Sequence, residues 1–413
     1  MVSIARKNLL EDIPRFLVAQ AGIMFAVSLI IIQTGIFNGF TRSAGQVIDN
    51  SSADIWVASE SMVFMDLTLP IPQAYAVLAQ QVPGVDLAEA LIFKTSVWRE
   101  RSGNISAIKI VGFNPEGELF LPVNVIQESV SVLKKPYSVM VDKTNLDSLK
   151  VRDKGDVAEV ALLPAKVVGF THRNRSIASS PYMFTSLESA NAYSSTVQAA
   201  SLNCQLPVGG KSLKCTNTYV KPEGASNSTP KQLVATDPIT FVLIRATQGE
   251  DLEALKQKLE AALSNTRAYT STEIIEKNQT YWQKRTGIGF ILGLGGVVGV
   301  LVGAIVVSQI LYSSVSDRIK EFGTLKAMGA SDWVIYGTIV EQALWMAILG
   351  YIPGLAIGLG VGAWTYASQG ISILITPTTA IAVLGITLVM CVGSAIFAIQ
   401  KVTRLDPAIV FKA

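Results

Sequence analysis

Histidine, charge and cysteine are all scarce in this sequence. His172 is the only histidine among 413 residues, and there are three cysteines. One histidine and the pair Cys204 and Cys215 do not complete a tetrahedral zinc shell, so no metal site is expected. Charged residues make up 16% of the chain against 50% hydrophobic ones, which is too apolar for an ordinary soluble protein of this size. Net charge is +3 and the Lys and Arg residues form no basic block, so nothing supports nucleic acid as a partner.

Asp, Glu, Lys and Arg are missing altogether from three runs, Phe16 to Thr41, Thr286 to Ser316 and Gln342 to Gln400. A spanning helix needs roughly 20 apolar residues, so the first two runs hold one helix each. The third is long enough for two. It divides around Ser368–Gly370 and the Thr376-Pro377-Thr378-Thr379 turn, because proline and clustered small polar residues break a helix. The spans predicted are 16–40, 287–312, 335–363 and 379–400. A cleaved leader is not expected, since the first run is too long and lacks a small-residue cleavage site.

Basic residues near the helix ends set the orientation. Arg6, Lys7 and Arg15 precede the first span, Arg318, Lys320 and Lys326 lie in the 313–334 loop, and Lys401, Arg404 and Lys412 follow the last span, whereas the 364–378 loop has none. Both termini are therefore expected in the cytoplasm, with an amphipathic helix at 1–15, a tail at 401–413 and residues 41–286 outside. Arg42, Lys284 and Arg285 fall on the wrong side for this rule, which long translocated domains escape.

The 41–286 segment has the composition of a folded α+β domain. Strand signals occur at 53–57, 156–163, 165–171 and 240–246. A hairpin is predicted from arms at 92–100 and 105–113 around Arg101-Ser102-Gly103-Asn104. Helices are expected at 72–81 and over GEDLEALKQKLEAAL, where Leu252, Leu255, Leu259 and Leu263 share one face. Residues 195–237 are poor in large apolar groups and are expected to be loop-rich. Within them an oxidising compartment favours a Cys204–Cys215 disulfide, and Gly209-Gly210 lets the chain turn. The string Gly209-Gly210-Lys211-Ser212 is not a phosphate-binding loop, because Gln205 stands where the motif needs glycine. Thr270-Ser271-Thr272-Glu273 has the spacing of a capping box. The helix it opens either continues into the second span or breaks at Gly287 or Gly289.

Inside the spans glycine recurs every fourth residue, at Gly295, Gly299 and Gly303 and again at Gly350, Gly354 and Gly358. This spacing places them on one face and permits close helix packing, including between two copies of the chain. Glu341 is the one carboxylate within a span. A structural role and a transport role are both open for it.

Between two apolar segments stands SDRIKEFGTLKAMGASDW, residues 316–333. Ile319, Phe322, Leu325 and Met328 recur at helical spacing, Glu321 and Lys326 cover other faces, and Gly329 is a stop signal. A short cytoplasmic helix with an apolar stripe needs a surface, either lipid headgroups or a groove on a partner protein.

Here the sequence resembles a known family. SVSDRIKEFGTLKAMGAS is similar to the signature loop of FtsX-like, MacB-type ABC-transporter permeases, as are GYIPG in the third span, TRLDPAIVF at the end and ARKNLL near the start. GFNP at 112–115, EKNQTYW at 276–282 and the QILYSSVSD run bring it nearest to DevC-type exporter permeases. The resemblance implies an α-helical membrane protein with four transmembrane helices and a large external α+β domain between helices 1 and 2. It implies a bacterial inner-membrane permease, itself no enzyme and without a cofactor, whose ATP-Mg is bound by a cytosolic ABC ATPase dimer docked on Ile319, Glu321, Phe322, Leu325, Lys326, Met328 and Gly329. A second copy of the chain, a periplasmic membrane-fusion adaptor, an outer-membrane duct and membrane lipid are the other implied partners. The implied function is export of an amphiphile such as a glycolipid, lipid or drug-like molecule. The alternative, illustrated by FtsX itself, is a mechanotransmission subunit that activates an external cell-wall hydrolase without transport.

Overall fold

The computed structural model describes residues 13–126, 128–172, 180–195, 200–205, 214–219, 229–317, 321, 324, 328, 331–369 and 373–403. The chain divides into a helical unit, made of the residues up to Phe40 and from Thr286 onward, and an α+β unit, Thr41–Arg285. Four helices long and apolar enough to cross a membrane supply the first: α1 (Ile13–Ser43), α8 (Ile288–Asp317), α9 (Asp332–Gln369) and α10 (Pro377–Thr403). The fold class is the one expected, four such helices with a large α+β unit between the first two.

The four helices share one apolar core, to which α1 contributes a continuous face. Ile23, Val27 and Ile31 are buried among Val307 and Leu311 of α8, Ile339, Ala343 and Met346 of α9, and Val383 and Cys391 of α10. Sparse polar side chains tie the helices through backbone carbonyls. Ser28 Oγ donates to the Gly354 carbonyl at 3.1 Å, Tyr351 Oη to that of Ala380 at 2.9 Å and Ser394 Oγ to that of Ala304 at 3.0 Å. With no water in a hydrocarbon core, such bonds satisfy hydroxyls that would otherwise be buried without a partner. Pro353 sits inside α9, where it removes one intrahelical bond.

The α+β unit is built on one mixed sheet. Its strands are β1 (Ile55–Ser59), β3 (Val85–Arg99), β4 (Ile105–Phe113), β5 (Val125–Ile126), β6 (Ser138–Asp142), β7 (Val157–Val160), β8 (Leu163–Thr171), β9 (Tyr182–Ser186), β13 (Phe241–Ala246) and β14 (Thr266–Thr270). They run β14-β1-β13-β3-β4-β9-β6-β8-β5, with β7 bridging β3 and β8. The 15-residue β3 joins the halves, pairing β13 through its first part and β4 through its last. Most pairs are antiparallel, but β4–β9 and β6–β8 are parallel.

Alternation along the strands feeds two apolar layers. Ile55, Val57, Ile92, Ile110, Val242 and Ile244 face one layer, covered by α3 (Ala74–Gln80), α5 (Leu187–Ser195) and α6 (Leu252–Ala262). Trp56, Phe93, Val111, Phe184, Phe241 and Leu243 face the other. Two very short helices, α2 (Gln46–Asp49) and α4 (Leu146–Leu149), and a small pair of β2 (Ile71–Pro72) with β12 (Pro238–Ile239) complete this part. The Leu face of α6 forms as expected, with Leu255, Leu259 and Leu263 buried and Asp251 capping the helix through the Glu253 N–H at 3.1 Å.

Two expectations need correction. The break between β7 and β8 falls at Ala161-Leu162, both at positive φ, rather than at Pro164, which is accommodated within β8 opposite Glu159. The 195–237 stretch is not only loop, since β10 (Ala200–Gln205) and β11 (Lys214–Tyr219) pair antiparallel within it. Its Thr, Tyr and Cys residues suit a strand even where large apolar groups are few.

Candidate functional site

Three features bear on function: the segment between α8 and α9, the glycine faces of the bundle, and the helix that joins the α+β unit to α8. That joining helix is α7 (Ser271–Thr286).

Most of the first lies outside the described residues, including Ile319, Phe322, Leu325, Lys326 and Gly329. Glu321 is helical and exposed, and Met328 is 71% exposed, with its N–H bonded to the Thr324 carbonyl at 3.0 Å. Just beyond, Trp333 at the start of α9 is 83% exposed and lies edge-on to Tyr336. Among the described residues of this loop, Met328 and Trp333 thus present apolar side chains outward.

The glycine faces are filled from within the chain. A Cβ added at Gly350 would meet the Ile23 side chain at 2.6 Å, one at Gly354 would meet Val27 at 2.8 Å and the Met24 carbonyl oxygen at 3.0 Å, and one at Gly358 would meet Ile31 at 2.7 Å. On α8, Gly299 faces Leu29 and Ile30, Gly303 faces Ala26 and Met390, and Gly295 faces Gln33. Both ladders therefore close on α1. The expectation that they join two copies is corrected: the close approach that glycine permits is already used inside one chain.

Helix α7 is anchored at every turn. The Glu273 N–H donates to Thr270 Oγ1 at 3.2 Å while Glu273 Oε2 accepts from the Thr270 N–H at 2.8 Å, the reciprocal capping box that the spacing predicts. Lys256 of α6 bonds both oxygens of Glu273 at 2.8 Å and also reaches Glu253. Burial raises the Glu273 carboxyl, but the hydrogen bonds from Lys256 and Thr270 outweigh it and hold the group below its usual range. Along the same helix Asn278 Nδ2 donates to the Ala44 carbonyl, Gln283 Nε2 donates to Thr41 Oγ1 at 3.4 Å, and Ile275 packs on Gly45. The helix does not run on into α8. Gly287 takes φ +61, a left-handed value that glycine adopts without a Cβ clash, and it separates the two helices.

A turn at 60–67 links α7 to the sheet, and no sequence signal marked it. Phe64 stacks on Tyr281 with centroids 3.7 Å apart and stands edge-on to Trp282. Two residues later Asp66 forms an ion pair at 2.5 Å with Lys109 of β4, which also donates to Thr95 Oγ1 at 2.7 Å and lies over the Phe93 ring. Lys109 is 5% exposed. Its place in the apolar strand ISAIKIVGF is the one hint the sequence carried.

Cys204 and Cys215 are opposite each other in the β10–β11 register.

Residues 16–262 match the family described as MacB-like periplasmic core domain, and residues 293–407 match FtsX-like permease C-terminal. The chain belongs to the MacB-like, FtsX-like family of ABC transporter permeases. An uncharacterized ABC transporter permease of Mycobacterium bovis is 22% identical over 405 residues, covering 95% of this chain and 94% of that one. The macrolide export ATP-binding/permease protein MacB of Hyphomonas neptunium is 30% identical over 125 residues, which are 30% of this chain and only 19% of that protein. The periplasmic region of MacB from Actinobacillus actinomycetemcomitans aligns at TM-score 0.33 and 8% identity over 55% of the permease and 94% of that structure.

Proposed function

We propose that the permease is the membrane subunit of an ATP-driven exporter. A separate cytosolic ABC ATPase dimer docks on residues 316–333, and its motion reaches the α+β unit through the bundle and α7. In this reading the termini and the 313–334 loop are cytoplasmic, and the α+β unit is outside a bacterial inner membrane.

The observation that carries the proposal is the joining, in one chain, of an FtsX-like membrane part and a MacB-like periplasmic core. A helix bonded within the α+β unit from Thr270 to Gln283 and ended at Gly287 leads from one to the other. Such an element can pass displacement along the chain, whereas the bundle carries few ionisable groups of the kind that line a conducting path. The substrate class is an amphiphile, as the DevC-like motifs suggest and as macrolide export by the named MacB relative accommodates. A membrane-fusion adaptor and an outer-membrane duct take it onward. Two copies of the permease assemble, meeting through surfaces other than the filled glycine faces.

Cross-linking in intact cells followed by purification of the permease tests the reading. Recovery of an ABC ATPase together with an adaptor and a duct is expected. Recovery of the ATPase with a secreted cell-wall hydrolase, and no adaptor, would replace export by mechanotransmission.

A further inference from the structure

Three cations stand where the charge rule for membrane helices puts few. Arg42 occupies the last turn of α1, and Lys284 and Arg285 the last turn of α7, directly before the apolar α8. The antiparallel pairing of the two helix ends brings them to one level, since Gln283 is bonded to Thr41 and, further along, Asn278 to Ala44. All three side chains are exposed, and no described carboxylate pairs with them. Elsewhere in the α+β unit, Arg245 is held by Asp86 and Glu118, and Lys258 by Glu250. The dipole of a helix C-terminus favours a cation in the last turn, which accounts for the sign but supplies no counterion from the described residues.

An aromatic side chain accompanies them on α7. Tyr281 lies one turn before Arg285 on the same face of α7 and stacks on Phe64 of the 60–67 turn. Cations beside an aromatic side chain suit the boundary where phosphate headgroups overlie the first methylenes.

We propose that Arg42, Lys284 and Arg285 form a docking surface for the phosphate of an anionic phospholipid. The lipid belongs to the leaflet on the α+β side. Chain continuity selects a lipid rather than a soluble anion, because the cations immediately adjoin helices that enter the bilayer. The inference rests on the membrane placement proposed above, but not on the ATPase, the adaptor or the exported substrate.

Each Lys or Arg near a membrane surface strengthens attraction to anionic lipid by about fivefold. The test uses the full-length permease in a mild nonionic detergent, titrated with phosphatidylglycerol, phosphatidylcholine or inorganic phosphate, with bound lipid counted by native mass spectrometry. The wild type is expected to retain phosphatidylglycerol over phosphatidylcholine by about tenfold or more, without displacement by millimolar inorganic phosphate. The combined R42Q, K284Q and R285Q variant should lose that preference while its phosphatidylcholine retention is unchanged. The charge-conserving R42K, K284R and R285K variant should keep it. An undiminished preference in the Gln variant, or loss of it in the charge-conserving one, overturns the proposal, as does displacement by inorganic phosphate, which would indicate a soluble-anion site. Loss of export in cells with lipid retention intact would instead count against the proposed function alone.

Discussion

The two units of the permease solve the problem of holding polar groups in opposite ways. In the α+β unit charges with little exposure are kept and paired, as Lys109 with Asp66 and Lys256 with Glu273, beneath and beside two apolar layers. In the helical unit side-chain hydroxyls bond backbone carbonyls, and packing depends on the absence of a Cβ at Gly350, Gly354 and Gly358. The difference follows from solvent. Water drives apolar burial in one unit, whereas lipid is as apolar as leucine and leaves close contact to join helices in the other.

The largest effect expected is therefore from added volume in the bundle. Gly354→Leu should cost about 3 kcal/mol or more, because the Val27 side chain and the Met24 carbonyl already stand within 3.0 Å of the new Cβ. Gly360→Leu, on the same helix with nothing within 4 Å, should be close to neutral. Thermal unfolding of both variants in detergent checks the contrast, and equal losses would mean that glycine serves something other than contact with α1.

Next comes removal of a charge partner in the α+β unit. Lys109→Ala leaves Asp66 without its ion pair and should cost about 3 kcal/mol, reduced for the partial exposure of Asp66. The double variant Lys109→Met with Asp66→Asn should recover part of the loss. If the double variant is as unstable as Lys109→Ala, the turn is held by Phe64 alone.

Some of this contrast was legible in the sequence and some was not. The charge-free runs located the four helices because hydrocarbon excludes charge so strongly that local composition decides the matter. The capping box was legible because its two bonds lie within four residues. The partner of the glycine ladders was not, since spacing states that a face is open to close approach and says nothing of whether α1 or a second chain fills it. The Asp66–Lys109 pair joins residues far apart in sequence, so only the fold reveals it. The break at Gly287 rather than Gly289 is a matter of one φ angle. The coupling role proposed for Phe322 and Leu325 rests on their periodicity and on the resemblance of the segment that holds them.

A smaller effect is expected from the excursion. We propose a disulfide between Cys204 and Cys215, which face each other in register. Cys204→Ser should loosen the hairpin by about 2 kcal/mol without unfolding the unit. Recovery of both thiols alkylated from freshly isolated membranes would remove the pair.

The smallest is pH-dependent. The Glu273 carboxyl is held below its ordinary value of 4.5, so its contribution is complete above that pH and lost as pH falls through the lower folded value. The Lys256 ammonium, lowered by burial but raised further by Glu273 and Glu253, contributes fully below 10.5 and loses its contribution as pH rises through the higher folded value. Partial exposure keeps both effects modest. The stability gap between wild type and Glu273→Gln should be constant near neutrality and shrink in acid. A gap unchanged down to pH 2 would show that the carboxylate charge is not what fastens α7.

The segment 316–333 gives the most direct test of coupling. Its apolar stripe is proposed to enter a groove on the ATPase with Phe322 at the centre, and loss of such an anchor commonly costs over about 2 kcal/mol, whereas a rim charge such as Lys326 contributes less. The permease and the proposed ATPase are co-expressed, purified through the permease, and assayed for ATP hydrolysis. Phe322→Ala should lose the ATPase and its stimulated hydrolysis while Lys326→Ala remains mild. A normal ATPase complex with Phe322→Ala would contradict coupling through this segment and return it to the lipid surface.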